Sequence, residues 1–402
     1  MIKKLLFLIA MVVFFIACKT TNELVKPYIV SYNDAKEPAL FMYNLPATML
    51  EFEVTVKQTQ KIKGPYADYG VRFLGLINTA IIERNSKRFE IVNVNVKTHF
   101  VQDSANWYCY IHNSESLPSF VVTDKNVLAG INTDIELNEI SEMITENIPS
   151  PKDLKVFFID LGMQKILIEE IQTVYREIKT DSSVVKVPVK EYVKSKRNEE
   201  ELARLAADFI TRLKTLRFEL VAGLYEVFPD GRSLEATIKE MYDVEKRYVE
   251  LFTGVAKDTT YTYTFTYTPK HETETPLSKV LCYFDDESGV SLILPTQQYA
   301  NNNKNQHFIV ELNYDSYDPL IDQRITPGGP VYRIPALCNV ILKVGDKPIS
   351  MSKQYINQLG NVYQLPIDVL NSNKYQIEFD QQSGNIRRVN SPLEPVLPKK
   401  KR

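Results

Sequence analysis

Over most of this chain hydrophobic and polar residues alternate with period 2, and only one region shifts to the three-to-four spacing of a helix. The stretch "TYTYTFTYTP", residues 260–269, is the sharpest case: Tyr261, Tyr263, Phe265 and Tyr267 fall on one face and Thr262, Thr264, Thr266 and Thr268 on the other. Side chains of an extended chain point alternately to opposite faces, and β-branched and aromatic residues suit a pleated surface, so the stretch predicts a strand. Similar alternation in "MLEFEVTVKQTQKI", "RFEIVNVNVKTHFV", "NWYCYIHN" and "SFVVTDKNVLAGIN" predicts a β-rich amino-terminal unit over residues 41–150, with a short helix in "GPYADYGVRFLGLI". Beyond the Tyr/Thr stretch, "KVLCYFDDESGVSLIL", "HFIVELNY", "VYRIPALCNVILKV" and "KYQIEFDQQSGNIRRV" predict a carboxy-terminal, sandwich-like β domain over 259–390.

The region between them, 151–258, mixes two patterns. "ILIEEIQTVYREIK" has the charges of a helix, but the Thr-Asp-Ser-Ser that follows and the alternating "VVKVPVKEYV" beyond it favour a β-hairpin. After that, Asn198 precedes Glu199, Glu200 and Glu201, and apolar residues recur at Leu202, Leu205, Ala206, Phe209, Ile210, Leu213 and Leu216 before Gly223. Acidic groups at the positive end of the helix dipole and glycine at the far end mark a helix. Ser233 opens a second helix with Leu234, Ile238, Met241, Tyr248 and Leu251 inward, ending at Gly254. The fold class is therefore α+β, mainly β, with a central αα-hairpin.

The first eighteen residues carry an address. Lys3 and Lys4 precede an apolar run that ends at Cys18, too short to span a bilayer, for which about 20 residues are needed. "FIAC" resembles a bacterial lipobox, although Phe15 stands where leucine is usual. The expectation is a signal peptide at 1–17, acylation at Cys18, a polar tether over 18–40 and anchoring to a membrane of the cell envelope, the outer one. At the other end, 391–402 is a basic tail ending in Lys399, Lys400, Lys401 and Arg402, read as a solubilising end or a contact with anionic headgroups.

Charge excludes one class of partner. The formal net charge is −2, and no strand or helix carries a Lys/Arg stripe interleaved with aromatics, so nucleic acid is not expected to bind.

"FMYNLPATMLEFEVTVKQTQKIKGPYADYGVRFLG", "RFELVAGLYEVFPDGRSLEATIKEMYDVEKRYVELFTG" and "GPVYRIPALCNVIL" resemble the Bacteroidetes lipoproteins classed as domain of unknown function 4831, over roughly residues 38 to 390. The resemblance implies a didermic envelope. No activity is assigned to that family, so it carries no functional residue onto this chain.

Local motifs for chemistry are absent. His99, His112, His271 and His307 are scattered, with no HExxH pair to preset a metal, and no metal or cofactor is expected. There is no GxSxG elbow and no phosphate-wrapping GxxxxGK[ST] loop. Ser183 to Lys186 and Ser350 to Lys353 read SxxK without the accompanying SDN and KTG elements. Asp285, Asp286 and Glu287 next to Ser-Gly read as a solvated hairpin tip, and Asp134, Glu136 and Glu139 are the other acidic cluster from which an acid/base pair could be assembled. Cys109 reads as a small buried hydrophobe, while Cys282 and Cys338 could pair across strands.

The aromatic row of 260–269 adds about 600–1,000 Å² of apolar area, more than a monomer leaves exposed in one patch. It reads first as core, with a partner interface and a glycan-stacking platform as the remaining readings. Two functions stay open: first a non-catalytic envelope module that binds another protein or a glycan, and as the alternative a hydrolase of envelope polymer or glycan whose carboxylates come from separate strands.

Overall fold

The structure is a computed structural model that describes residues 27–112, 118–140, 142, 144–160, 167–180, 183–224, 231–270, 276–292, 307–314, 325–371 and 375–390. Cys18 and its leader, His271 and the basic tail lie outside the described residues. In chain order, β1 (Tyr28–Ser31) and β2 (Phe41–Ile62) are followed by the short helix α1 (Gly70–Leu74) and β3 (Ser86–Ile111). Then come β4 (Phe120–Val122), β5 (Leu128–Ile131), the pair β6 (Leu167–Thr180) and β7 (Ser183–Lys196), and the helices α2 (Glu199–Ala222) and α3 (Gly231–Thr253). The rest is β8 (Val255–Tyr267), β9 (Leu277–Asp285), β10 (Gly289–Ser291), β11 (His307–Tyr314), β12 (Val331–Val344), β13 (Lys347–Gln364), α4 (Asp368–Asn371), β14 (Gln376–Phe379) and β15 (Ile386–Asn390). The predominance of antiparallel strands with a few helices is the mainly β, α+β class expected.

Two sheets pack face to face. One is ordered β1-β3-β2-β8, the other β10-β9-β11-β12-β13. The Tyr/Thr strand belongs to the first: β8 runs antiparallel to β2, with Phe265 opposite Phe52 and Tyr263 opposite Val54. Tyr263 and Phe265 are buried and meet Leu50, Phe52 and Val56 from their own sheet and Phe308, Val310 and Leu342 from the facing one. The strand expected in a separate carboxy-terminal β domain thus completes the amino-terminal sheet, and both β regions share one core. A period-2 pattern specifies which residues share a face; it does not specify the neighbour, which the burial of opposing rings selects. The free edge of β8 is covered by the segment around Asn147, whose backbone exchanges hydrogen bonds with Thr264 at 3.1 and 2.9 Å. A third sheet, the all-antiparallel β15-β14-β5-β4, joins distant segments through Ile377 opposite Ile131.

The central region forms both hairpins. β6 and β7 pair with each other in register from Leu167 with Lys196 to Thr180 with Ser183, and with no other described strand. In α2 the Asn198 side chain accepts from Glu201 N while Glu201 accepts from Asn198 N, and Gly223 ends the helix with φ +74°. The inward stripe is buried only in part. Leu202, Ala203, Ala206, Ala207 and Ile210 are buried with Tyr248, Leu251 and Phe252 of α3, whereas Leu213 is half-buried and Leu216 is exposed. Two helices cover only one face of each other, and the third layer, supplied by Tyr66 and α1, reaches only the half nearest the sandwich.

These placements give the molecule two ends. At the rise of about 3.3 Å per residue typical of strands, the 22 residues of β2 extend roughly 70 Å. β1 pairs with the Tyr108–Ile111 end of β3, beside the start of β2. At the opposite end, Tyr66 N donates to Leu251 O at 2.8 Å and Ile82 N to Thr253 O at 2.9 Å, seating the helix pair. The base of the β6–β7 ribbon is there too: Asp160 accepts from Tyr66 Oη at 2.6 Å and Glu200 pairs with Arg72 at 2.9 Å.

Candidate functional site

The inner face of β2 reads Phe52, Val54, Val56 and then Gln58, Gln60, so its apolar run stops before the strand does. Facing residues on β8 follow suit, from Phe265 and Tyr263 to Tyr261, Thr259 and Lys257. Where the core ends a cleft of about 570 Å³ opens, lined by Gln58, Gln60, Lys152, Leu154, Lys257 and Tyr261, with Asp153, Lys155 and Thr259. The segment carrying Lys152 to Lys155 is strapped across by Lys152 N to Tyr261 Oη at 3.2 Å and Leu154 N to Gln60 Oε1 at 2.7 Å. Asp153 is engaged by Lys87 at 2.9 Å. Lys152, Lys155 and Lys257 make no ion pair among the described residues. Gln58 is only 2% exposed; among the described residues its one side-chain hydrogen bond, Nε2 to Lys152 O, is 3.5 Å long, and its Oε1 has no partner.

Of the four rings of the Tyr/Thr row, then, Tyr263 and Phe265 are core, Tyr267 packs partly buried against it, and Tyr261 emerges into this cleft. Sequence reasoning singled out Tyr261 but missed Gln58 and the three lysines. The signal available was the replacement of valine by glutamine at 58 and 60 within an otherwise strict alternation.

A second cleft of about 640 Å³ lies between β1–β3 and β12–β13, lined by Tyr108, Asn106, Arg333, Gln358, Lys36 and Asp34 among others. Its charged centre is an internal clamp. Arg333 Nη2 donates to Asp103 Oδ2 at 2.9 Å and Nη1 to Pro46 O at 3.3 Å, with both charged side chains buried. Asn106 Nδ2 adds a bond to Asp103 at 3.0 Å. Gln358 accepts from Thr48 N and donates to Thr48 O and Pro269 O, and Asn357 donates to Gln382 O at 2.6 Å. These groups tie the two sheets together where a register shift between Asn44 and Pro46 interrupts the β2–β3 ladder.

The acidic clusters stay apart. Asp285 caps its turn, accepting from Glu287 N, Ser288 N and Ser288 Oγ; burial raises its pKa, but these hydrogen bonds outweigh that and hold the carboxyl below its ordinary value. Asp134, Glu136 and Glu139 are exposed on the segment after β5. Cys109, Cys282 and Cys338 are free and buried. Cys282 on β9 and Cys338 on β12 are separated by β11, so the pairing that the sequence left open does not form. Burial pushes both thiols up to about 12, the opposite of activation. His99 sits 2.6 Å from Glu51, and among the described residues no group of three or more His, Cys, Asp or Glu is placed to hold a metal ion. Among the same residues no helix is long and apolar enough to cross a membrane.

Fold and clefts together define a two-sheet β-sandwich with a helix pair and a β-ribbon at one end and polar clefts at the sheet margins. The chain belongs to the family described as Domain of unknown function (DUF4831), which matches residues 41–387. No curated protein and no solved structure matches it.

Proposed function

We propose that this protein is a lipid-anchored cell-envelope module, non-catalytic, that holds a partner protein at the end of the sandwich remote from its membrane tether. The β6–β7 ribbon carries this reading. Its two strands have no further neighbour among the described strands, and Ile171, Tyr175 and Tyr192 on one face and Ile178 and Val185 on the other are each at least half exposed. A two-stranded ribbon is marginal in water by itself, because ordering it costs more than one pair of strands returns. A partner that covers these side chains supplies the missing burial. The tether supports the same polarity: Cys18 precedes β1, and β1 lies at the other end of the long sheet from the ribbon. Acylation at "FIAC" then places the ribbon away from the bilayer, on the outer membrane of a didermic envelope.

The test combines fractionation with site-specific photo-crosslinking in cells. Cys18→Ala is expected to leave the membrane fraction or remain an unprocessed precursor, and a crosslinker at Tyr175 or Tyr192 is expected to yield a discrete protein adduct. Normal processing, lipid labelling and membrane retention of Cys18→Ala, or adducts at Tyr32 near the tether and none at the ribbon, would refute the reading.

A further inference from the structure

We infer that the cleft at the end of the Tyr/Thr strand binds an anionic saccharide, a sugar carrying a phosphate or a carboxylate. Four observations converge there. Lys152, Lys155 and Lys257 bring three positive charges to one cleft with no carboxylate partner among the described residues, since the one acid in it, Asp153, is taken by Lys87. Gln58 is buried with a free acceptor, Oε1, and only a 3.5 Å bond from its amide nitrogen. Buried polar groups are normally satisfied, and leaving one unmade costs about 1–3 kcal/mol. Once the long contact to Lys152 O opens, a sugar hydroxyl donating to Oε1 meets that need, whereas a simple anion without a donor does not. Tyr261 supplies the aromatic wall on which the apolar face of a sugar ring packs, its phenolic oxygen already fixed by Lys152 N. The volume, about 570 Å³, is that of a small-ligand pocket.

The inference rests on reading the remote end as the one that meets partners, yet it is measured separately. The full chain, purified in detergent, is titrated calorimetrically with glucose 1-phosphate, with trigalacturonate and with neutral maltotriose. Binding of either anionic sugar, at least tenfold tighter than maltotriose and weakening with salt, is expected; whichever binds tighter identifies phosphate or carboxylate as the charged group. Lys257→Gln and the double variant Lys152→Gln/Lys155→Gln should each weaken it by about tenfold. Gln58→Met keeps the side-chain volume and removes the unpartnered acceptor, so it should abolish binding while leaving the melting temperature of the free protein unchanged or raised. No binding of either anionic sugar, equal affinity for maltotriose, or undiminished binding by Lys257→Gln and Gln58→Met overturns the inference. Ribbon adducts persisting alongside such a failure would leave the partner-holding role standing and remove only the ligand.

Discussion

Phe265→Ala asks whether the two β regions of the chain fold as one. Phe265 is 1% exposed, lies opposite Phe52, and has Tyr263 and Phe308 each with ring centroids 6.4 Å away. Burying such a ring is worth about 1.5–3 kcal/mol in transfer alone. Truncation adds a cavity, because Tyr263 and Phe308 are held by their own strands and cannot close on it, so the loss should be about 3–5 kcal/mol. Thr264→Ala, on the opposite face, should cost no more than about 0.5 kcal/mol. The assay is urea unfolding followed by fluorescence of the one tryptophan, Trp107, which sits on β3 opposite Asn44. If β8 completes a sheet with β2 and β3, Phe265→Ala lowers the midpoint seen by Trp107 with an unchanged slope. A Trp107 transition that ignores Phe265→Ala, while circular dichroism shows a separate early phase, would refute a shared core.

Two further outcomes follow from buried charge and buried thiols. Asp103→Asn leaves the Arg333 charge unpaired inside the molecule and should cost about 3–5 kcal/mol, while the double replacement Asp103→Leu/Arg333→Met should recover most of it; simple additivity in the denaturant midpoints would contradict the clamp. Burial raises Cys282, Cys338 and Tyr263 to about 12, above unfolded values of about 8.5 for thiols and about 10 for tyrosine. Their neutral forms are favoured in the fold, so that contribution is complete below about pH 8.5 and drains away as pH rises toward 12. Unfolding midpoints at pH 8, 9.5 and 11 should therefore fall in order, and Ellman's reagent at pH 8 should label these thiols only in denaturant; a constant midpoint would contradict the assignment.

Alternation and capping determined the elements. Strong period-2 runs such as 50–62 and 260–267 became strands, and Asn198 with Glu201 fixed the start of a helix, because these depend on the pleat and on orphan amide groups within a few residues. The identity of the rings as core was also legible, since so much apolar area has to be covered. What the sequence left open was pairing. Phe265 lies more than two hundred residues from Phe52, and β5 is just as remote from β14; such neighbours are chosen by mutual burial, which no local pattern records. The same holds for the clefts. Gln58 comes from β2, Lys152 from a loop and Lys257 from β8, and they meet because β8 pairs with β2 and the loop is strapped across both strands. Local sequence thus fixes which way each side chain points, and the closure of one sheet over the other decides which of those side chains stay in contact with water.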